Sequence, residues 1–119
     1  MQNRYFINNT LAIICARGGS KGLKGKNYIQ LNKKPLIFFA IDKILKNKFK
    51  YYCLSSDSKK IIKISDKHGF KSFFVRPKHL SSSNVSKFKV WKHALKKAEI
   101  YYNRKFRFLL DVEVTNPLT

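Results

Sequence analysis

The chain has 119 residues, 26 Lys and Arg against 6 Asp and Glu, and 44% hydrophobic residues. That length suits one compact domain rather than two, and the apolar content with 14% aromatics excludes a merely solvated, disordered chain. The longest apolar runs, 11–16 and 36–41, fall far short of the roughly 20 residues a transmembrane helix needs.

The first ten residues carry no apolar stretch of the kind a secretory signal requires. Cys15 and Cys53 offer neither a disulfide framework nor zinc-ligand spacing. The expectation is a soluble, cytoplasmic, reduced protein. A formal charge of +20 fits nucleic acid or another anionic surface. It also fits compositional bias: Lys, Asn, Ile, Phe and Tyr, residues of A- and T-rich codons, make up 57 of the 119 residues, whereas Arg occurs five times. The lysines are scattered rather than gathered in a tail, which favours bias. Salt-sensitive binding to polyanions would follow from the charge itself.

Residues 11–15, Leu-Ala-Ile-Ile-Cys, form a continuous apolar run of the kind expected for a strand buried on both faces. Four glycines follow within 16–27. Pro35 opens a helical pattern with Ile37, Ile41, Ile44 and Leu45 on one face. Residues 51–55 read as a second strand. Ser58 caps a helix whose inner side carries Ile61, Ile64, Ser65 and His68, and Gly69 ends it. Residues 71–75 read as a third strand, broken by Arg76-Pro77. A helix with Phe88, Trp91, Leu95 and Ala98 on its inner face follows the polar stretch 81–84, and 106–111 reads as a fourth strand. Strands alternating with helices predict βαβ units and a parallel sheet. The unusual segments 16–27, 55–58, 76–86 and 112–119 all fall at carboxyl ends of strands, where such sheets bind ligands.

Glycines let a backbone turn tightly and bring its N–H groups close to phosphate oxygens, and Arg17, Lys21, Lys24 and Lys26 add charge to this loop. The pattern is neither GxGxxG nor a P-loop, in which Ser or Thr would stand in place of Asn27. Taken alone, the loop is as compatible with a structural turn as with a phosphate cradle. The three histidines, His68, His79 and His93, share no metal spacing. The paired aromatics Phe38-Phe39, Phe73-Phe74 and Tyr101-Tyr102, with Trp91, read as packing groups rather than base-stacking platforms.

Residues 16–27, Ala-Arg-Gly-Gly-Ser-Lys-Gly-Leu-Lys-Gly-Lys-Asn, resemble the ARGGSKG-x-x-GKN signature of acylneuraminate cytidylyltransferases. These enzymes activate sialic, legionaminic and pseudaminic acids as CMP-sugars. The resemblance continues in order: Lys34-Pro-Leu-Ile37 is similar to KPLI, Ser55-Ser-Asp-Ser58 to STDS, Val75-Arg-Pro-Lys-His-Leu80 to LRPxEL, and Val114-Thr-Asn-Pro-Leu118 to the tail of (Q/D)-(P/V)-T-S-P-L-R.

The resemblance implies a Rossmann-like α/β parallel sheet of the nucleotide-diphospho-sugar transferase type, cut off after about four strands. It implies CTP and a nine-carbon acidic sugar as partners, with a sugar hydroxyl attacking the α-phosphorus and releasing pyrophosphate. Arg17 and Lys21 would then be catalytic. Gly18, Gly19, Ser20, Lys26, Asn27, Arg76 and Ser86 would bind the nucleotide, and Glu113 and Thr115 the sugar, an acid at 113 leaning toward the legionaminate-like branch. Asp57 would cap the next helix.

Departures are equally specific. Lys24 stands for a usual Pro, His79 for Glu, Ser83 for an acid and Thr119 for Arg. The Asp-x-Asp pair that holds Mg2+ in the family, and the segment of its homodimer, have no counterpart in 1–119. The chain is therefore expected to be a single incomplete domain of marginal stability, with Mg2+ implied by the family but its ligands absent from this sequence. A basic nucleic-acid-binding module and a non-catalytic remnant are the competing readings.

Overall fold

The computed structural model describes residues 4–18, 30–31, 34–82 and 84–114. Its elements in chain order are α1 (Arg4–Asn8), β1 (Thr10–Cys15), β2 (Gln30–Leu31), β3 (Lys34–Pro35), α2 (Leu36–Lys46), β4 (Tyr51–Ser55), α3 (Lys59–Lys67), a 3-10 turn at Lys78–Leu80, α4 (Lys87–Tyr102) and β5 (Phe108–Asp111). Strands β4, β1 and β5 form a parallel sheet in that order, with Ile13 opposite Cys53 on one side and Asp111 on the other. The α/β parallel architecture predicted from sequence is the one observed, and β2 and β3 add a small antiparallel pair.

The central strand explains the layering. Successive side chains of a strand point to opposite faces. Ala12 and Ile14 meet Ile37, Ala40, Ile41 and Ile44 of α2, Ile61 of α3 and Phe70. Leu11 and Ile13 meet Ala94 and Ala98 of α4, with Cys53 beside them. Two cores thus sandwich β1, and every residue from Thr10 to Ile14 is buried.

The helix ends follow the local chemistry. The Ser58 hydroxyl accepts the Ile61 N–H and starts α3. Gly69, at φ +84°, ends that helix, and the Phe70 N–H returns to the Ser65 carbonyl at 3.0 Å. At the far end of α4, Asn103 takes the left-handed conformation, and the Arg104 N–H closes on the Glu99 carbonyl at 3.1 Å.

Four expectations are corrected. Residues 71–75 are not a strand, although they run beside β4. Phe73 and Phe74 both turn into the core under α4, where Phe73 meets Tyr101 and Phe74 meets His93. Consecutive residues of a strand cannot share a face, so the two aromatics break the ladder. The inner face of α4 is also rotated from the predicted one. Val90, Ala94 and Ala98 are buried, Trp91 and Leu95 flank them, and Phe88 is 67% exposed. Small residues at i, i+4 spacing let the helix approach the sheet more closely than a bulky stripe would. Leu45 is likewise outside the core that Ile37, Ile41 and Ile44 enter. The short helix α1 carried no signal recognised in the sequence, and β5 begins at Phe108 rather than at 106.

Candidate functional site

The connections after β1 and β4 meet at the carboxyl end of the sheet. The centre of this rim is the four-residue turn Ser55-Ser56-Asp57-Ser58. From the β1 side, the Ala16 N–H donates to the Ser55 carbonyl at 3.0 Å, and the Gly18 N–H donates to Asp57 Oδ1 at 2.9 Å. From the 71–77 side, the Arg76 N–H donates to the Ser56 carbonyl at 2.8 Å.

Arg76 is 4% exposed and holds the same turn with its side chain. Its Nε donates to Ser55 Oγ at 2.9 Å and its Nη2 to the Ser55 carbonyl at 2.8 Å. The guanidinium fork thus satisfies two acceptors of one buried residue, leaving Nη1 uncommitted to that pair. Burial draws the Arg76 pKa below its ordinary value. Cys15, once ionised, and Asp57 oppose this, and Arg17, a like charge, adds to it. Asp57, expected to cap α3, instead binds the backbone of the glycine-rich loop; the cap is Ser58.

A second group lies on the opposite flank of β1. Lys87, the first residue of α4, reaches Asp111 Oδ2 at 2.9 Å and Glu113 Oε1 at 3.8 Å. Burial pulls the Lys87 pKa down, but the hydrogen bond and charge of Asp111, with Cys15 and Glu113, outweigh it and hold the ammonium above its ordinary range. Ser86 caps α4, its hydroxyl accepting the Lys89 N–H. Cys15 ends β1 between the two groups. Burial and then Asp111 push its thiol up to about 11, against the pull of Arg76 and Lys87.

Of the residues singled out in the sequence, Gly18 and Arg76 are brought onto one turn, with Arg17 preceding Gly18. Ser86 and Glu113 gather around Lys87. Gly19, Ser20, Lys21, Lys26, Asn27 and Thr115 lie outside the described residues. Sequence reasoning missed Ser55 as an anchor, Asp57 as a tether and Lys87 altogether. The first two stood inside the STDS-like motif, whereas nothing distinguished Lys87 among so many lysines. His68 pairs with Asp42 at 2.9 Å and stacks on Phe38, away from this rim. Among the described residues no group of three metal-ligating side chains converges; Asp111 Oδ1 is buried without a hydrogen-bond partner, but one such oxygen beside the Lys87 ammonium on Oδ2 does not fit a divalent cation.

A parallel sheet with helices on both faces and loops pinned together at its carboxyl rim defines a Rossmann-like α/β domain of the nucleotidyltransferase type. The chain belongs to the cytidylyltransferase family, whose model matches residues 11–117. It is 39% identical over 113 residues to the post-translational flagellin modification protein B of Campylobacter coli, covering 94% of this chain and 48% of that protein. It is 38% identical over 108 residues to the CMP-N,N'-diacetyllegionaminic acid synthase of Campylobacter jejuni, covering 90% and 46%. A pseudaminic acid cytidylyltransferase of the same species is 43% identical over 86 residues, covering 71% and 37%. The chain spans about half the length of the first two of these relatives and less of the third. No described helix is long and apolar enough to cross a membrane.

Proposed function

We propose that residues 1–119 form the CTP-binding part of a cytidylyltransferase that transfers CMP to a nine-carbon acidic sugar. The observation that carries this reading is the convergence of Gly18 and Arg76, two residues of the family-like motifs, on the turn after β4. The names of the relatives supply the sugar class, legionaminic or pseudaminic acid, and Glu113 on the opposite flank of β1 is the candidate for choosing between them.

In this reading a sugar hydroxyl oxygen forms a bond to the α-phosphorus of CTP while the bond to pyrophosphate breaks, the hydroxyl proton passing to water. Such chemistry depends on placing the reactants and neutralising spreading negative charge. Arg17 and Lys21 meet that charge, and Gly18, Gly19, Ser20 and Lys26 enclose the phosphates. Asn27, Ser86 and the free edge of Arg76 hold the cytidine, and Glu113 and Thr115 face the sugar. The working enzyme would be a homodimer in the cytoplasm, where CTP is available.

Thermal-shift titration tests the proposal. CTP is expected to raise the melting temperature more than ATP or GTP does, and Arg17→Ala to abolish the difference. Equal responses to the three nucleotides would sink it.

A further inference from the structure

The turn after β4 does more than end a strand. Across 39 positions of sequence the Asp57 carboxylate takes the N–H of Gly18, the second residue after a paired backbone position at Ala16. A methyl group on Gly18 would lie 2.8 Å from Ser58 Cβ, so Gly18 is seated on the turn with no room for a side chain. Arg76 is fixed to Ser55 and Ser56 of the same turn by three hydrogen bonds.

We infer that Asp57 is a positioning residue, which sets the start of the glycine-rich loop and, through the shared turn, its alignment with Arg76. The inference rests on the proposed binding of CTP. Asp57 has no part in holding phosphate, since a carboxylate repels it; its oxygen is an acceptor for the loop backbone. The Gly18 N–H is thereby committed to Asp57, so Gly18 would border the phosphates by its position and not through this N–H. Asp57 also acts on Arg76 as an opposite charge, countering the cost of burying that guanidinium next to Arg17.

Two effects of the carboxylate on a bound triphosphate therefore oppose each other, and two substitutions separate them. Asp57→Asn keeps an oxygen acceptor for Gly18 and removes the repelling charge. Asp57→Ala removes both. Calorimetric titration with CTP, cytidine and inorganic tripolyphosphate is the test. Asp57→Asn is expected to bind CTP within about threefold of the unaltered protein, and Asp57→Ala about tenfold or more weakly, as for a lost hydrogen bond to a charged group. The loss should appear with tripolyphosphate and not with cytidine.

Equal CTP affinities for Asp57→Ala and the unaltered protein overturn the inference. So does a matching tenfold loss in Asp57→Asn, or a loss carried by cytidine. Amide exchange of Gly18 in the ligand-free protein supplies a readout that needs no nucleotide: about tenfold faster exchange is expected in Asp57→Ala, and unchanged exchange overturns the inference. If the unaltered protein ignores CTP, the proposed function fails, whereas the Gly18 exchange still reports on Asp57.

Discussion

Gly18 lies so close to Ser58 that a Cβ built on it would sit 2.8 Å from the Cβ of that serine. Such a contact cannot be kept, and overpacking of this kind costs about 1–3 kcal/mol. Gly18→Ala is therefore expected to destabilise the fold by that amount in urea denaturation. Ser58→Gly added to it should restore most of the loss, because glycine is a tolerable cap and gives up only a few tenths of a kcal/mol at such a position. Additive costs in the double variant would show that the two residues do not meet.

The arginine on the other side of the same turn is a structural anchor whatever else it does. Arg76→Ala removes two side-chain hydrogen bonds and takes from buried Ser55 Oγ its arginine donor, while the Ser55 carbonyl keeps the Ala16 N–H. A loss of about 3 kcal/mol is expected from urea unfolding. Arg76→Lys should recover little of it, since one ammonium cannot occupy the positions of Nε and Nη2 together. Full recovery with lysine would mean that charge alone, and not the planar fork, ties the loop to β4.

Much of this architecture was legible in the sequence because local chemistry and global packing agreed. The apolar run in β1, the cap at Ser58 and the stop at Gly69 each have one cheap local solution, and the fold uses it. The misreadings arose where tertiary packing overruled pattern. Phe73-Phe74 looks like strand, yet both rings are drawn under α4. Phe88 looks like core, yet Ala94 and Ala98 sit closer to the sheet. The site was visible as motifs, but not its wiring: that Asp57 binds Gly18 rather than α3 depends on a contact 39 residues long. Lys87 was hidden by composition, one lysine among 26 Lys and Arg.

Cys15 and Cys53 together give the alkaline limb of the stability profile. The Cys15 thiol is pushed up from an ordinary 9.0 to about 11, by burial first and Asp111 second. A pKa raised in the fold stabilises fully below the unfolded value and loses that contribution as pH rises through the folded value. Stability should fall between about pH 9 and pH 11, with Cys53, whose thiol burial pushes up further still, steepening the fall and Lys87, also raised, adding to it at the upper end. Cys15→Ala is expected to flatten the slope of melting temperature over that window. The same burial keeps the thiol protonated at pH 8, so native iodoacetamide labelling of Cys15 and Cys53 should be much slower than in urea. Labelling at equal rates in the two conditions would contradict it.

His93 governs the acid limb. Its ring lies edge-on to Phe74, with Nδ1 buried and without a hydrogen-bond partner. Burial lowers its pKa, and the nearby charges of Lys97, His79 and Arg76 lower it further. The folded state therefore holds the ring neutral where the unfolded chain, with an ordinary value of 6.5, takes up a proton. A pKa lowered in the fold gives stability that is present above the unfolded value and lost as pH falls through the folded one. The protein should melt at lower temperature at pH 5 than at pH 7.5. His93→Phe keeps an aromatic edge against Phe74 and has no nitrogen to protonate or leave unpaired, so its melting temperature should change less over the same interval. Parallel falls in the two proteins would assign the acid sensitivity to groups other than His93.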